Sequence, residues 1–322
     1  MTAVLFLDGA GAPFDGDTPK TTGLGGSEMA QIQLAEALAA RGARVKVLVM
    51  RDTCYEPRTI NGVTYGHSDL SDVTTIIASR MTPVPAELAA GKRVIVSLTD
   101  MGPHKIATCD FLVGVSRWQI NRFDTKAKKR VIPCIVEHEN VDENQKIPGR
   151  FVYASARMKG LDATLAAWKN LRQFLPENAH LRVTTAGWDL PAEGSVEEAG
   201  AEWLGILTPE QIRQEIATAR GLFYINTYPE TFCAIAAIAE ASRTRPCIFC
   251  PPLDGMSDPY TGKPWAGPQP GALPEVLNTP IYTSGPDFAR GVLDVANGRA
   301  NLFSAKNYSP NKVCQAWENL II

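Results

Sequence analysis

The chain has 322 residues, 45% of them hydrophobic, which is enough apolar material for two domain cores. Its formal net charge is −2, so nothing in the overall balance calls for a nucleic acid or an acidic membrane as partner. Seven cysteines, an odd number set mostly in apolar runs, argue against a disulfide framework and for reduced core thiols. Met1 leads straight into an apolar run with no leader-like pattern, and no stretch reaches the ~18 apolar residues of a membrane span. The expectation is a cytoplasmic protein that touches a membrane peripherally if at all.

Residues 4–7 predict a first buried strand, closed by Asp8. The next informative stretch is 22–28, TGLGGSE. Behind it Ile32, Leu34, Ala35, Leu38 and Ala39 recur at helical spacing until Arg41-Gly42 ends the pattern. Three glycines let the backbone approach a ligand that side chains would hold away. The helix that follows turns its free N–H groups toward the loop, an arrangement suited to a diphosphate. A glycine-rich turn with Ser27 as N-cap accounts for the same residues without any ligand. Strands are then expected at 45–49, at 58–60 and 63–65 around Asn61-Gly62, and at 74–78, 93–98, 111–115 and 131–135. Ser116 should cap a short helix that ends at Phe123. Alternating strands and helices predict a parallel sheet covered by helices.

Residues 142–150 are polar, contain Pro148 and Gly149 and have no periodicity, which suggests a linker there. Domains at 1–145 and 146–306 follow, with 307–322 a helix expected to pack back toward the first. In the second half, strands are expected at 151–154, 181–186, 222–225 and 247–250. Helices are expected at 160–174, 209–219 (capped by Thr208), 231–242, 286–296 and 310–320. Residues 251–274 read as an extended loop rich in Pro and Gly.

Ligands of doubly wound sheets bind beyond the carboxyl ends of strands, and with two such sheets the natural site is the cleft between them. Two strand-to-helix loops of the second half carry suitable chemistry. In SARMKGL, 155–161, Arg157 offers a fork and Lys159 a point charge to a phosphate at a helix start, although both also suit a solvated loop. In YPETFC, 228–233, Glu230 can accept hydrogen bonds from sugar hydroxyls or merely face a helix dipole. Cys247 and Cys250 have CxxC spacing, but without a second pair or a nearby histidine they read as buried strand residues. His67, His104, His138 and His180 form no cluster, and Gly9-Ala10-Gly11 lacks the third glycine of a dinucleotide fingerprint. Arg117, Arg122, Lys126, Lys128, Lys129 and Arg130 stand against the single Asp124. Such a run is either a solvated face or a docking surface for anionic lipid or nucleic acid.

In order along the chain, 22–28, 155–161, 228–233 and GALPEVL at 271–277 resemble the signatures of retaining glycosyltransferases of the GT-B fold, in the GT4-like group. VSRWQ at 115–119 and VIPCIVE at 131–137 resemble that family's segments near the end of the first domain. The resemblance spans most of the chain. It implies two Rossmann-like doubly wound α/β domains facing a cleft, and transfer of a sugar from a nucleotide-sugar donor to a hydroxyl acceptor with retention, without bound metal or cofactor. Carried over position by position, Gly25 and Gly26 approach the donor diphosphate and the acceptor side. Arg157 and Lys159 neutralise the leaving nucleoside diphosphate, and Glu230 holds hydroxyls of the transferred sugar. Ser155, Thr231, Phe232 and Cys233 complete the donor contacts, the last two through backbone N–H groups. Asp100 falls where the family often has a histidine or a His-Asp pair near the sugar and is expected as a catalytic residue contacting acceptor or sugar, and Glu28 and His104 lie on the acceptor side.

Two departures qualify the resemblance. The family's second glutamate, a ribose ligand eight positions after the first, is here Ile238. Glu240 lies two residues on, rotated by about 200° around a helix, and is expected to take the donor-binding place only if that helix starts later or its register slips. Cys134 stands where the family commonly has asparagine. Two alternatives stay open: a transferase that acts on modified bases in DNA through residues 117–130, and a non-catalytic protein of the same fold that binds a nucleotide or sugar.

Overall fold

The computed structural model describes residues 2–9, 13–50, 56–101, 105–257 and 264–321. The chain divides into two compact units. The first comprises Met1–Thr21, Gly25–Val136 and Asn307–Ile322, the second Thr22–Leu24 and Glu137–Lys306. The division at Val136 precedes the polar stretch 142–150.

In the first unit β1 (Ala3–Asp8), β2 (Arg44–Val49), β3 (Arg58–Ile60), β4 (Val63–Tyr65), β5 (Thr75–Ser79), β6 (Arg93–Leu98), β7 (Phe111–Gly114) and β8 (Lys128–Val131) form one sheet in the order β3-β4-β2-β1-β5-β6-β7-β8. Only the β3–β4 hairpin is antiparallel, turning at Asn61-Gly62, where both residues have positive φ. Strand β1 is buried along all six residues, so its sequence is a continuous apolar run rather than an alternating one. The Gly26–Ala40 helix covers the sheet with Ile32, Leu34, Ala35 and Leu38. The closing Pro310–Ile321 helix belongs to the same unit. It buries Val313, Cys314, Trp317, Leu320 and Ile321 and receives a bidentate grip from Arg41, whose Nε and Nη2 lie 2.6 and 2.9 Å from the Glu318 carboxylate.

The second unit is built on a parallel sheet of β9 (Arg150–Ala154), β10 (His180–Thr184), β11 (Glu202–Trp203), β12 (Gly221–Ile225) and β13 (Arg245–Phe249), ordered β11-β10-β9-β12-β13. Its core is aromatic. Phe151, Trp168, Phe223 and Phe288 form a chain of ring contacts at 5.7, 5.4 and 5.2 Å. A capping box of Thr208 and Gln211 starts the Pro209–Thr218 helix. Two α/β units on parallel sheets are the fold class that the alternation of strands and helices predicts.

Several elements differ from the sequence expectation, three of them for a plain physical reason. The last strand of the first unit is Lys128–Val131 rather than 131–135, because its main chain pairs with β7 while its four side chains stay exposed at the sheet edge. The helix expected at 231–242 begins only at Ala234, because Cys233 before it turns left-handed at φ 63. The Pro- and Gly-rich stretch 251–274 is not loop to its end, since Leu273 already starts the short Leu273–Val276 helix.

Candidate active site

The second unit assembles three of the singled-out segments at the carboxyl ends of β9 and β12. After β9 the chain makes a single 3-10 turn, Arg157–Lys159, and passes through Gly160 at φ 123. A Cβ at Gly160 would stand 2.0 Å from the Ile225 carbonyl oxygen, so only glycine lets the two strand ends approach. Hydrogen bonds lock the approach: Thr227 N donates to Lys159 O at 3.1 Å, and the Thr164 hydroxyl donates to Gly160 O at 2.8 Å while accepting from Ile225 N at 3.1 Å. The backbone that carries Lys159 is thereby fixed.

From that backbone the Lys159 ammonium reaches the Glu230 carboxylate, 2.9 and 3.1 Å from its two oxygens, and lies 5.6 Å from the centre of the Tyr228 ring. Glu230 is buried and also accepts from the Tyr224 hydroxyl at 2.9 Å. Its main chain pairs with the 271–277 segment, where Ala272 N donates to Glu230 O at 2.7 Å. Gly271, at φ 64, would place a Cβ 2.2 Å from that same oxygen, which explains a glycine there. Burial works to lower the pKa of Lys159, but Glu230 more than offsets it, and the ammonium is held above its ordinary value. Burial first, and the Glu230 charge second, push the Tyr224 hydroxyl and the Cys233 thiol well up, so both stay protonated.

The neighbouring donor-side residues are placed as follows. Arg157 turns its fork onto Asp162, with three contacts of 3.1 to 3.2 Å at a partly exposed ion pair. Ser155 is half-buried, and Thr231 and Phe232 are buried. Cys233 is the N-cap of the Ala234–Ala241 helix, without a side-chain cap. Glu240 is buried, and its carboxylate accepts from Asn278 N at 3.0 Å, Thr279 N at 2.6 Å and the Thr279 hydroxyl at 2.7 Å. Its oxygens tie the Ala234–Ala241 helix to the chain just after the Leu273–Val276 helix. Ile238 is half-buried.

The first unit carries its own cluster where β1 and β5 end. Asp8, fully buried, receives Arg80 through Nη2 at 2.7 Å and Nε at 3.2 Å, and also the Gln31 amide. The other arm of Arg80 meets Glu28, in the first turn of the Gly26–Ala40 helix. Arg80 adopts φ 53, a conformation that costs a non-glycine residue energy. Burial opposes its charge, yet Asp8 and then Glu28 raise it above the ordinary value. Gly25 is the N-cap, and a Cβ there would lie 2.4 Å from Glu28 Oε2, whereas a Cβ on Gly26 would meet open space. Asp100 follows β6 half-buried, and its carbonyl accepts from the buried Gln119 side chain, which also holds Val115 N at 2.8 Å. His104 lies outside the described residues.

The structure thus brings Lys159, Glu230 and Cys233 together in one unit, and Gly25 and Glu28 in the other. Sequence reasoning missed Tyr224, Arg80, Asp8 and Thr279. A tyrosine or aspartate at the end of an apolar strand reads as core, although Arg80 directly after a strand end was a usable signal. Among the described residues no group of three or more His, Cys, Asp or Glu could hold a metal ion. Cys247 and Cys250 are buried, with thiols that burial pushes up to about 12.

No family model and no curated protein matches the sequence. Solved structures match over its whole length. Sucrose-phosphate synthase from Thermosynechococcus elongatus superposes with a TM-score of 0.66 at 13% identity, covering 99% of this chain and 98% of that one. Anabaena HepE in complex with UDP-glucose gives 0.63 at 14% identity, covering 99% of both chains. AviGT4, a glycosyltransferase of avilamycin A biosynthesis, gives 0.60 at 15% identity over 99% of this chain and 96% of that one. These neighbours are glycosyltransferases of the GT-B fold, and at such identities what the chain shares with them is that fold.

Proposed function

We propose that the chain is a glycosyltransferase that moves a sugar from a nucleotide-sugar donor to a hydroxyl acceptor. The observation that carries this reading is the corner at the ends of β9 and β12, where Lys159 stays charged beside Glu230 on a backbone locked by Gly160. Likeness to HepE, solved with UDP and with UDP-glucose, supports a uridine diphosphate sugar as the donor class.

In this reading Lys159 donates its remaining N–H to a donor phosphate oxygen. Arg157 exchanges the exposed Asp162 carboxylate for the same diphosphate, presenting it with a planar fork. Both stabilise negative charge as the bond from the anomeric carbon to the phosphate oxygen breaks, the electrostatic contribution that usually dominates such a step. The acceptor oxygen forms the new bond from the face that the diphosphate leaves, and its proton passes to the leaving phosphate. The sugar therefore keeps its anomeric configuration and no protein nucleophile is required. Glu230, already occupied by Lys159 and Tyr224, first orients Lys159 as its counter-ion. It turns to sugar hydroxyls when the diphosphate draws the ammonium toward itself. Two side-chain cations carry the charge neutralisation in this scheme, so chelators leave turnover unchanged.

A second reading, a protein that binds donor without turnover, is favoured by one observation: Glu240 is committed to Asn278 and Thr279 rather than offered to a ribose. The two are separated by incubating the purified protein with UDP-glucose and other nucleotide sugars. A melting-temperature rise with release of nucleoside diphosphate supports the transferase, and a rise without any product supports the binding protein. No rise with any nucleoside diphosphate removes both.

A further inference from the structure

We propose that strand β8 and the loop before it form a docking surface for an anionic lipid bilayer. Residues 117–130 hold six cations and one acid in a chain of net charge −2, so the rest of the molecule is acidic and its field turns this edge toward a negative surface. Lys126, Lys128, Lys129 and Arg130 are all exposed, and β8 is the outermost strand of the eight-stranded sheet. Among the described residues none of these four forms an ion pair. Cations elsewhere do so repeatedly: Arg41 with Glu318, Arg58 with Asp15, Arg182 with Glu202 and Glu215, and Arg213 with Glu137 and Glu139. A charge or two would be enough to keep an edge strand from pairing with another chain. Four uncompensated cations exceed that need.

The local aromatic residues decide which polyanion fits. Lys128 and Arg130 lie 5.7 and 5.8 Å from the centre of the Phe111 ring, and Arg122 lies 4.6 Å from that of Trp118. These ring faces are taken by cations and are not offered to bases, and the only helix in the segment is a single turn, Arg117–Ile120, too short to enter a groove. What remains is a basic edge with Val131 exposed at its end, suited to a smooth lipid surface that asks for charge and no base readout. No described helix is long and apolar enough to cross a membrane, so the contact is peripheral.

The test is co-sedimentation of the full chain with phosphatidylglycerol-containing vesicles and with vesicles of phosphatidylcholine alone. Retention is expected on the first only, and it should fall as salt rises. The variant Lys126→Gln, Lys128→Gln, Arg130→Gln keeps the Lys129 contact to Phe123 O. It should bind on the order of 100-fold more weakly with an unchanged melting temperature. Should that variant unfold, Lys126→Gln alone, outside the strand, should still weaken retention several-fold. Equal retention on both vesicles, retention untouched by the substitutions, or capture by duplex DNA without capture by vesicles would each overturn the proposal, the last assigning the surface to nucleic acid. The surface does not depend on sugar transfer, and nucleotide binding by the variants should be unaltered.

Discussion

Each unit ends its central strands in a buried or half-buried charge cluster, but the two differ in balance. In the second unit the cations are matched one to one, Lys159 with the buried Glu230 and Arg157 with the exposed Asp162, and Asp189 also acts on Arg157. That corner can turn a cation to an anion by giving up the exposed Asp162, whose pairing with Arg157 is weak in water. In the first unit Arg80 is clamped between Asp8 and Glu28, so one cation answers two carboxylates. That corner suits groups that donate hydrogen bonds, such as hydroxyls, and repels phosphate. Parallel topology offers the same location twice, and the side chains placed there decide the sign of what fits.

The difference can be broken by substitution. Gly160→Ala should have the largest effect, because its Cβ would stand 2.0 Å from a carbonyl oxygen at φ 123. A loss above about 4 kcal/mol is expected, read by chemical denaturation. Arg80→Met comes next, since it removes the guanidinium that pairs with the buried Asp8, at a cost of ~3–5 kcal/mol. A stability within error of wild type would show that the clamp is not needed. Lys159→Met likewise leaves the buried Glu230 without its counter-ion, though the Tyr224 hydroxyl still donates to it, and it should erase the melting shift given by UDP.

A third buried cation sharpens the contrast. Lys146 has no carboxylate partner among the described residues, donating instead to Ser242 O at 2.8 Å and the Thr244 hydroxyl at 2.6 Å, and burial lowers it from 10.5 to about 8. The unfolded chain therefore takes up this proton at a higher pH than the folded one. Relative to Lys146→Met, wild-type stability should rise from pH 8 to pH 10.5 and stay level below pH 8, as read by urea unfolding at each pH. Asp162→Ala should have the smallest effect: no measurable change in melting temperature, and tighter nucleoside diphosphate binding once Arg157 is released.

The elements legible in the sequence are those whose burial is uniform. Strands β1, β5, β6, β9 and β12 lie inside their sheets and read as mostly apolar runs. Strand β8 defeats that logic. It is held mainly by main-chain pairing, and its exposed side chains are those of a solvated loop. Two-residue β11 has no pattern to read. At the site, Lys159, Glu230 and Gly271 were legible because each sits in a motif at a strand or helix end. Tyr224 was not, since a tyrosine inside an apolar strand looks like packing until Glu230 is found against its hydroxyl. The role of Glu240 was hidden because its partners lie 38 and 39 residues away in sequence.

By itself the sequence determined the class of fold, the positions of the glycine turns and which loops hold cations, because burial period and backbone sterics are local properties. Only the tertiary structure decided which charges neutralise one another: Glu230 with Lys159, Asp8 and Glu28 with Arg80, and, among the described residues, no acid for the cations of β8. Pairing depends on distances of a few ångströms between segments far apart in the chain, and no local pattern encodes those.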